Sequence, residues 1–213
     1  MTDQMEISSN SGNAHIENHR DDIGAKMGMW LFLFTEVLLF GGMFLIYAVY
    51  RYKYPDQFHI AAMELNTNIG TLNTIILLTS SLTVAISISA LQKGSRIISL
   101  IMLSATLLFA IMFLINKYFE WATKFEHGIY PGSKVLLNKP NGQILFFGLY
   151  FVMTGLHALH VVIGMVILTF MLVFILRKSV TSDNYVKLEN SGLYWHLVDL
   201  IWIFLFPLFY LIQ

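Results

Sequence analysis

The chain has 213 residues, of which 56% are hydrophobic and 12% are charged, and its formal net charge is zero. Soluble domains average roughly 25% charged residues, so this composition is typical of a membrane protein, and the balanced charge argues against nucleic acid as a partner. The chain contains no cysteine, which excludes disulfides, thiolate metal sites, iron–sulfur clusters and cysteine nucleophiles.

The first 26 residues are polar and of mixed charge. They lack the basic start, short apolar core and small-residue cleavage site of a signal peptide. We predict a polar N-terminal tail over residues 1–26 that is disordered or loosely docked. The first apolar segment is then a retained membrane anchor.

Five later segments are long and apolar enough to cross a bilayer, which takes roughly 20 helical residues. Their unbroken apolar runs favour helices over the alternating strands of a membrane barrel. We therefore predict an all-α integral membrane protein, with a bundle of five transmembrane helices within residues 27–213. The predicted helices cover about residues 27–50, 69–91, 96–118, 143–177 and 192–212.

The connections between these segments predict the topology. Only Gln92–Arg96 joins the second and third segments, so these two should form an antiparallel hairpin. The longest internal loop is predicted over Asn116–Gly142, which carries two proline-containing turn signals. The fourth run, Ile144–Leu176, would form about 50 Å of helix, so it should tilt or project beyond the membrane. Pro207 should kink the fifth helix or leave a carbonyl free.

Lysine and arginine residues near the helix ends indicate the orientation. The total is nearly equal on the two sides, but Lys93, Arg96, Arg177 and Lys178 closely flank helix ends on the side of the N-terminus. Cytoplasmic loops carry an excess of such residues, so we predict a cytoplasmic N-terminus and a C-terminus on the other side. Arg177 is also a candidate contact for a lipid headgroup.

Glu36 lies in the middle of the first apolar segment. A charged carboxylate at that depth costs about 3 kcal/mol, so it is a candidate functional group. One interpretation is a proton-linked or lipid-facing carboxyl. The other is a neutral carboxylic acid that is hydrogen-bonded to a neighbouring helix.

Two further pairs of ionisable residues share i, i+3 spacing, which places each pair on one helix face. His157 and His160 could ligate a metal with further ligands, but we favour hydrogen bonds from both rings across helices. His196 and Asp199 could serve a proton path or a partner subunit, but we favour a self-contained pair. Glu120, at a segment end among aromatic residues, is predicted to be interfacial rather than buried.

Nine Ser, Thr and Asn residues lie between Ile69 and Leu91. Small hydroxylated side chains allow close approach and hydrogen bonding between membrane helices. This pattern indicates helix packing and not catalysis.

In these same segments the chain resembles subunit III of the heme–copper oxygen reductases, the cytochrome c oxidase family. The similarity covers roughly residues 24–213 and includes a specific pair of motifs, Gly-x-His-x-x-His-Val-x-x-Gly followed by Trp-His-x-x-Asp-x-x-Trp. The matching stretches are Phe34–Phe40, Leu72–Thr74, Thr154–Gly164 and Tyr194–Trp202. The chain resembles the five-helix form, which lacks the first two of seven helices. A separate chain, a fusion on another subunit or lipid would occupy their place.

The resemblance implies a non-catalytic accessory role in aerobic electron transport. Subunit III of this family holds no heme, copper or other metal, since the redox cofactors lie in partner subunits. It packs on subunit I, stabilises the complex, supports proton uptake by subunit I and binds phospholipid. Glu36 aligns with the family's carbodiimide-reactive carboxyl, while His157, His160, His196, Asp199 and Glu120 match polar positions with structural or lipid-related roles.

The resemblance also implies further partners and a location. Subunit II, small subunits or a larger respiratory supercomplex are the other expected partners, and the expected site is the bacterial cytoplasmic membrane, with a periplasmic C-terminus. Cytochrome c is the favoured electron donor of the complex. A quinol oxidase or a nitric-oxide-reductase-type complex is the alternative.

Two other classes of function are weighed against this one. An independent membrane enzyme would use His157, His160 and His196 as metal ligands. A transporter or proton channel would be centred on Glu36 and would need a water-accessible path.

Overall fold

The computed structural model describes residues 22–181 and 184–212, and every regular element in these ranges is a helix. The helices are α1 (Asp22–Lys53), α2 (Pro55–Ala62), α3 (Thr67–Gln92), α4 (Arg96–Glu126), α5 (Lys134–Leu137), α6 (Asn141–Leu176) and α7 (Val186–Tyr210). Five of them, α1, α3, α4, α6 and α7, are long and apolar enough to span a membrane. The predicted all-α bundle of five membrane helices is confirmed.

The predicted tail of residues 1–26 falls mostly outside the described residues. Its last part differs from the prediction, because residues 22–26 already belong to α1. One lysine in this part, Lys26, forms an ion pair with Glu189 of α7 at 2.8 Å. The polar residues at the start of α1 therefore contact the bundle.

Four helices form the centre of the bundle. α3 packs against α4 and α7, and α6 packs against the same two helices. α1 lies at the edge, against α6 and α7, and the short α2 packs mainly on α6. α7 is the most buried of the membrane helices and α1 is the least buried. Polar groups that face the centre of these four helices are thus enclosed by protein, while α1 faces outward along most of its surface.

The predicted α3–α4 hairpin is confirmed. Asn66 starts α3, since its side-chain oxygen accepts hydrogen bonds from the backbone N–H groups of Asn68 and Ile69, at 3.0 and 3.4 Å. Gly94 turns the chain into α4 with φ +79°, in the left-handed region that favours glycine.

The predicted loop at Asn116–Gly142 is too long, because α4 continues to Glu126. Lys117, Glu120 and Lys124 lie in this extension. They recur at i, i+3 and i+7 on one face of the helix, and all three are buried in the bundle. The polar residues of this segment thus extend the membrane helix and do not end it.

The end of α7 is held by side chains from other helices. The helix includes Pro207 and ends at Tyr210, so the carbonyl that lacks its usual N–H partner is that of Ile203. Three carbonyls near this end accept hydrogen bonds: Leu208 from the Tyr47 hydroxyl, Tyr210 from the Thr67 hydroxyl at 3.3 Å, and Ile212 from His59 Nδ1 at 2.9 Å. These bonds tie α1, α2 and α3 to the last turn of α7.

Candidate functional site

Glu36 on α1 and His160 on α6 form a pair at the edge of the bundle. Glu36 Oε2 lies 2.9 Å from His160 Nε2, and the two side chains are 15% and 9% exposed. His160 Nδ1 lies 2.8 Å from the Leu156 carbonyl, which can only accept, so Nδ1 carries a hydrogen. The Nε2–Oε2 contact therefore holds one further proton, and the pair has no net charge whichever atom carries it.

The surroundings of this pair are aromatic and apolar. The Phe40 ring meets the His160 ring edge-on at 5.4 Å, and the Tyr194 ring stacks on it at 6.4 Å. An apolar cavity of about 230 Å³ lies between α1 and α7, and its lining includes Val37 and Phe40. Glu36 is thus hydrogen-bonded to a neighbouring helix, as one interpretation of the sequence required. Its partner is ionisable, which the sequence did not indicate.

Replacing His160 with Leu should loosen the attachment of α1 to α6. The change leaves Glu36 without a partner, which costs about 1–3 kcal/mol. Glu36→Gln should cost less, because its amide can still donate to Nε2. Hydrogen–deuterium exchange of α1 in the purified protein measures both effects. If the exchange of α1 in both variants were the same as in the natural protein, the Glu36–His160 pairing would be contradicted.

His157 has different surroundings from those of His160. It is fully buried, with its ring 5.6 Å from Phe113 and 5.2 Å from Trp202. Neither of its ring nitrogens has a hydrogen-bond partner in the described part of the chain. The prediction that both histidines bond across helices is therefore right for His160 and wrong for His157.

His157, His160 and His196 do not form a metal site. The first faces α4 and α7, the second faces α1, and the third faces α3. Within residues 22–181 and 184–212, no group of three or more His, Asp or Glu side chains could hold a metal ion.

A row of side-chain hydrogen bonds joins α7 to α3. Trp195 Nε1 donates to the Ser80 hydroxyl at 2.9 Å, and Trp202 Nε1 donates to the Thr74 hydroxyl at 3.0 Å. Between them, His196 Nδ1 lies 2.6 Å from the Ser81 hydroxyl. The prediction that the hydroxyl-rich second membrane helix serves packing is confirmed. The Trp-His-x-x-Asp-x-x-Trp motif supplies its partners.

Asp199 does not pair with His196 as predicted. The His196 ring is bonded to Ser81 of α3 instead. Asp199 is 3% exposed, and neither carboxyl oxygen makes a hydrogen bond within the described residues. Helical spacing placed the two residues on one face, but their neighbours on α3 determine the actual contacts.

A buried ion pair that the sequence analysis missed joins α4, α6 and α7. Lys117 Nζ donates to Glu120 Oε2 at 3.2 Å, to the Tyr150 hydroxyl at 3.2 Å and to the Tyr210 hydroxyl at 2.8 Å. Glu120 Oε1 accepts from Tyr150 at 2.6 Å and from Tyr210 at 2.5 Å. The three N–H donors of the ammonium are thus matched by three acceptors.

The interfacial placement predicted for Glu120 is wrong, since the residue is 7% exposed and Lys117 beside it is 3% exposed. Their i, i+3 spacing was the available signal. Because Lys117 lies within the predicted Asn116–Gly142 loop, helical spacing did not link it to Glu120. Arg177, by contrast, is exposed at the end of α6, and its contact with a lipid headgroup stays a prediction.

Comparison with known proteins identifies the family. The family described as Cytochrome c oxidase subunit III matches residues 4–213. The chain is 31% identical to the "Heme-copper oxidase subunit I+III" of Aeropyrum pernix, over 88% of this chain and 22% of that protein. It is 32% identical to the "Cytochrome c oxidase subunit 3" of Allomyces macrogynus, over 86% of this chain and 64% of that protein. It is 28% identical to the "Quinol oxidase subunit 3" of Bacillus subtilis, over 97% of this chain and 91% of that protein.

The chain thus spans about a fifth of the first of these relatives and just under two thirds of the second. The resemblance deduced from the Glu36, His157–His160 and His196–Asp199 motifs is confirmed. The chain belongs to the cytochrome c oxidase subunit III family.

Proposed function

We propose that this chain is a non-catalytic accessory subunit of a respiratory heme–copper terminal oxidase. The observation that carries the proposal is the use made of the polar side chains in the family motifs. His160 is bonded to α1, and His196, Trp195 and Trp202 are bonded to α3. These groups hold the bundle together and do not converge on a reaction centre.

We propose that the heme and copper lie in the partner subunits. Protein-bound copper takes several histidine or similar ligands arranged around one point. The described residues offer no group of three or more His, Asp or Glu side chains for such a centre. The name "subunit I+III" of the Aeropyrum pernix relative supports subunit I as the main contact. Subunit II, small subunits or a supercomplex are further proposed partners.

We infer from the Glu36–His160 pair that this chain supports proton uptake by subunit I. The pair holds one proton without net charge, and α1 exposes most of its surface to lipid or to a partner. A pair without net charge tolerates an apolar setting better than an isolated carboxylate does. The proposed roles are therefore support of proton uptake, phospholipid binding and stability of the complex during turnover.

The experiment that tests this function compares the oxidase with and without the chain. We expect the depleted complex to reduce oxygen at first and then to lose activity faster during turnover. Adding the chain back should restore the time for which the complex stays active during turnover. Abolished initial oxygen reduction would place a catalytic function in this chain and would contradict the proposal.

The electron donor is proposed to be cytochrome c, with quinol as the alternative. The quinol alternative is favoured by the relative from Bacillus subtilis, which matches 97% of this chain. Cytochrome c is supported by Glu36 and the Leu72–Thr74 motif, which look more like the cytochrome c branch of the family. Asn73 of this motif accepts a hydrogen bond from Asn116 at 2.9 Å inside the bundle. Oxidation of reduced cytochrome c or of a quinol by the purified complex decides between the two donors.

The proposed location is the bacterial cytoplasmic membrane, with the N-terminus in the cytoplasm and the C-terminus in the periplasm. The chain has no cysteine, so single cysteines can report the orientation directly. Ser95 in the α3–α4 turn and Lys134 after α4 are both exposed. We expect a membrane-impermeant thiol reagent to label Lys134→Cys in whole cells, and Ser95→Cys only after lysis. The opposite pattern would reverse the orientation.

A further inference from the structure

α1 is attached to the bundle along a narrow seam. Its buried hydrophobic residues among those described are Leu33, Phe40 and Tyr47, which recur every seven residues on one face of the helix. Glu36 lies on the same face, between the first two of them. The middle of the seam therefore holds an ionisable side chain at a position where an apolar residue would pack more simply.

Apolar packing beside Glu36 is incomplete. The cavity of about 230 Å³ between α1 and α7 includes Val37, the next residue along the chain, in its lining. A Cβ atom added at Gly41 or Gly42, further along the same helix, would meet nothing within 4 Å. The apolar contacts of this part of α1 thus leave room for the helix to shift.

Polar contacts hold α1 near its ends as well as in the middle. At its start Lys26 forms the ion pair with Glu189 of α7 at 2.8 Å, and near its end the Tyr47 hydroxyl donates to a carbonyl of α7. The Glu36–His160 contact lies between these two. The attachment of the middle of α1 to α6 therefore depends strongly on this one pair.

The contact between Glu36 and His160 needs a proton. His160 Nδ1 already donates to the Leu156 carbonyl at 2.8 Å, so its hydrogen is not available to Glu36. When the shared proton is lost, Glu36 Oε2 and His160 Nε2 are both acceptors and cannot bond to each other. A change of tautomer would leave Nδ1 facing the carbonyl without a hydrogen. The carboxylate would also stay charged at an apolar seam, which is unfavourable.

Two other ionisable side chains face the pair from the described parts of α6 and α7. Tyr194 stacks on the His160 ring at 6.4 Å, and its hydroxyl donates to the His160 carbonyl at 3.3 Å. His157 lies one turn away on α6, close enough for an electrostatic interaction with His160. The other charged residues of α1 lie toward its ends. The Tyr194 hydroxyl is thus directed at the backbone and does not replace the shared proton.

We propose that the Glu36–His160 pair is a pH-sensitive latch, which holds α1 against α6 while it keeps its shared proton and releases the middle of α1 when that proton is lost. The attached state then binds more protons than the released state. By linkage, the equilibrium shifts toward release as the pH rises, by up to about tenfold per pH unit. The latch needs no partner subunit, so it is independent of the proposed accessory function.

Distance measurements by electron paramagnetic resonance test the latch. The chain has no cysteine, so Leu38→Cys on α1 and Val152→Cys on α6, both at exposed positions, can carry two spin labels. The purified protein, in the assembly in which it is isolated, is titrated from about pH 6 to about pH 10, a range that starts near the ordinary titration of histidine. We expect the fraction of molecules with a longer α1–α6 distance to rise with pH.

Glu36→Gln separates the latch from other effects of pH. Its amide donates to His160 Nε2 without a titratable proton, so α1 should stay attached over the whole range. Glu189→Gln is the matched control, because it removes a different carboxylate that pairs with α1, through Lys26. This control should keep the pH dependence of the natural chain.

Three results would overturn the proposal. The first is the same rise of the longer distance with pH in Glu36→Gln. The second is loss of the pH dependence in Glu189→Gln. The third is a single α1–α6 distance that does not change between the two ends of the titration in the natural chain.

Discussion

Replacing Lys117 with Met should destabilise the bundle by about 3–5 kcal/mol, the usual effect of removing one partner of a buried ion pair. The substitution leaves the Glu120 carboxylate inside the protein with only the two tyrosine hydroxyls as donors. The pair joins α4, α6 and α7, so we expect the loss to affect the whole end of the bundle. The temperature at which the purified protein loses its native assembly in detergent measures the effect.

Two variants separate the ion pair from other consequences of the substitution. Lys117→Met combined with Glu120→Gln removes both charges, while the amide oxygen still accepts from Tyr150 and Tyr210. It should recover most of the lost stability. Lys134→Met removes an exposed lysine just after α4 and should change stability by less than about 0.5 kcal/mol. A double variant that is no more stable than Lys117→Met would contradict the paired-charge explanation.

Replacing Gly164 with Ala should destabilise the protein by about 1–3 kcal/mol through overpacking. A Cβ atom at Gly164 would lie 2.8 Å from two ring atoms of Trp195 and 3.2 Å from the Tyr194 ring. Trp195 is fully buried and is held by its bond to Ser80, so its ring has little freedom to move away. Thermal stability in detergent measures this change, and the intensity of tryptophan fluorescence reports the displaced ring.

Gly148 provides a matched control on the same helix. A Cβ atom there meets nothing within 4 Å, and α6 is continuous through this position. Gly148→Ala should therefore be neutral or stabilise the protein by up to about 1 kcal/mol, because alanine is the better helix former. If both substitutions shifted the melting temperature equally, close packing of α6 against Trp195 would not explain the role of Gly164.

The membrane helices could be predicted because each depends on a long local run of apolar residues. The α3–α4 hairpin followed from the short connection between two such runs. The contacts within the bundle were harder to predict from the sequence, since they depend on which helices become neighbours. His157 and His160 have the same spacing as any i, i+3 pair. His160 nevertheless reaches Glu36 on α1, while His157 packs on Phe113 and Trp202 and makes no hydrogen bond within the described residues.

The buried charges at the end of α4 could not be predicted, because their partners lie far along the chain. Lys117, Glu120 and Lys124 fall in the stretch for which the proline-containing turn signals predict a loop. In the folded chain Tyr150 and Tyr210 satisfy the first two, and the Glu64 carbonyl accepts from Lys124. Tyr210 lies 90 residues beyond Glu120, so no local pattern could have identified it. The resemblance to the oxidase family was confirmed although these contacts were not predicted. It rests on motifs whose residues make contacts between helices.

We propose that this chain is an accessory subunit and that the redox centres lie in other chains. Purification of the tagged chain from its native membrane, with heme analysis and identification of the co-purifying subunits, tests it most directly. We predict a stoichiometric large subunit that carries the heme, and no heme that stays with this chain when the complex is separated. A stable chain isolated without any heme-bearing partner would contradict this accessory role.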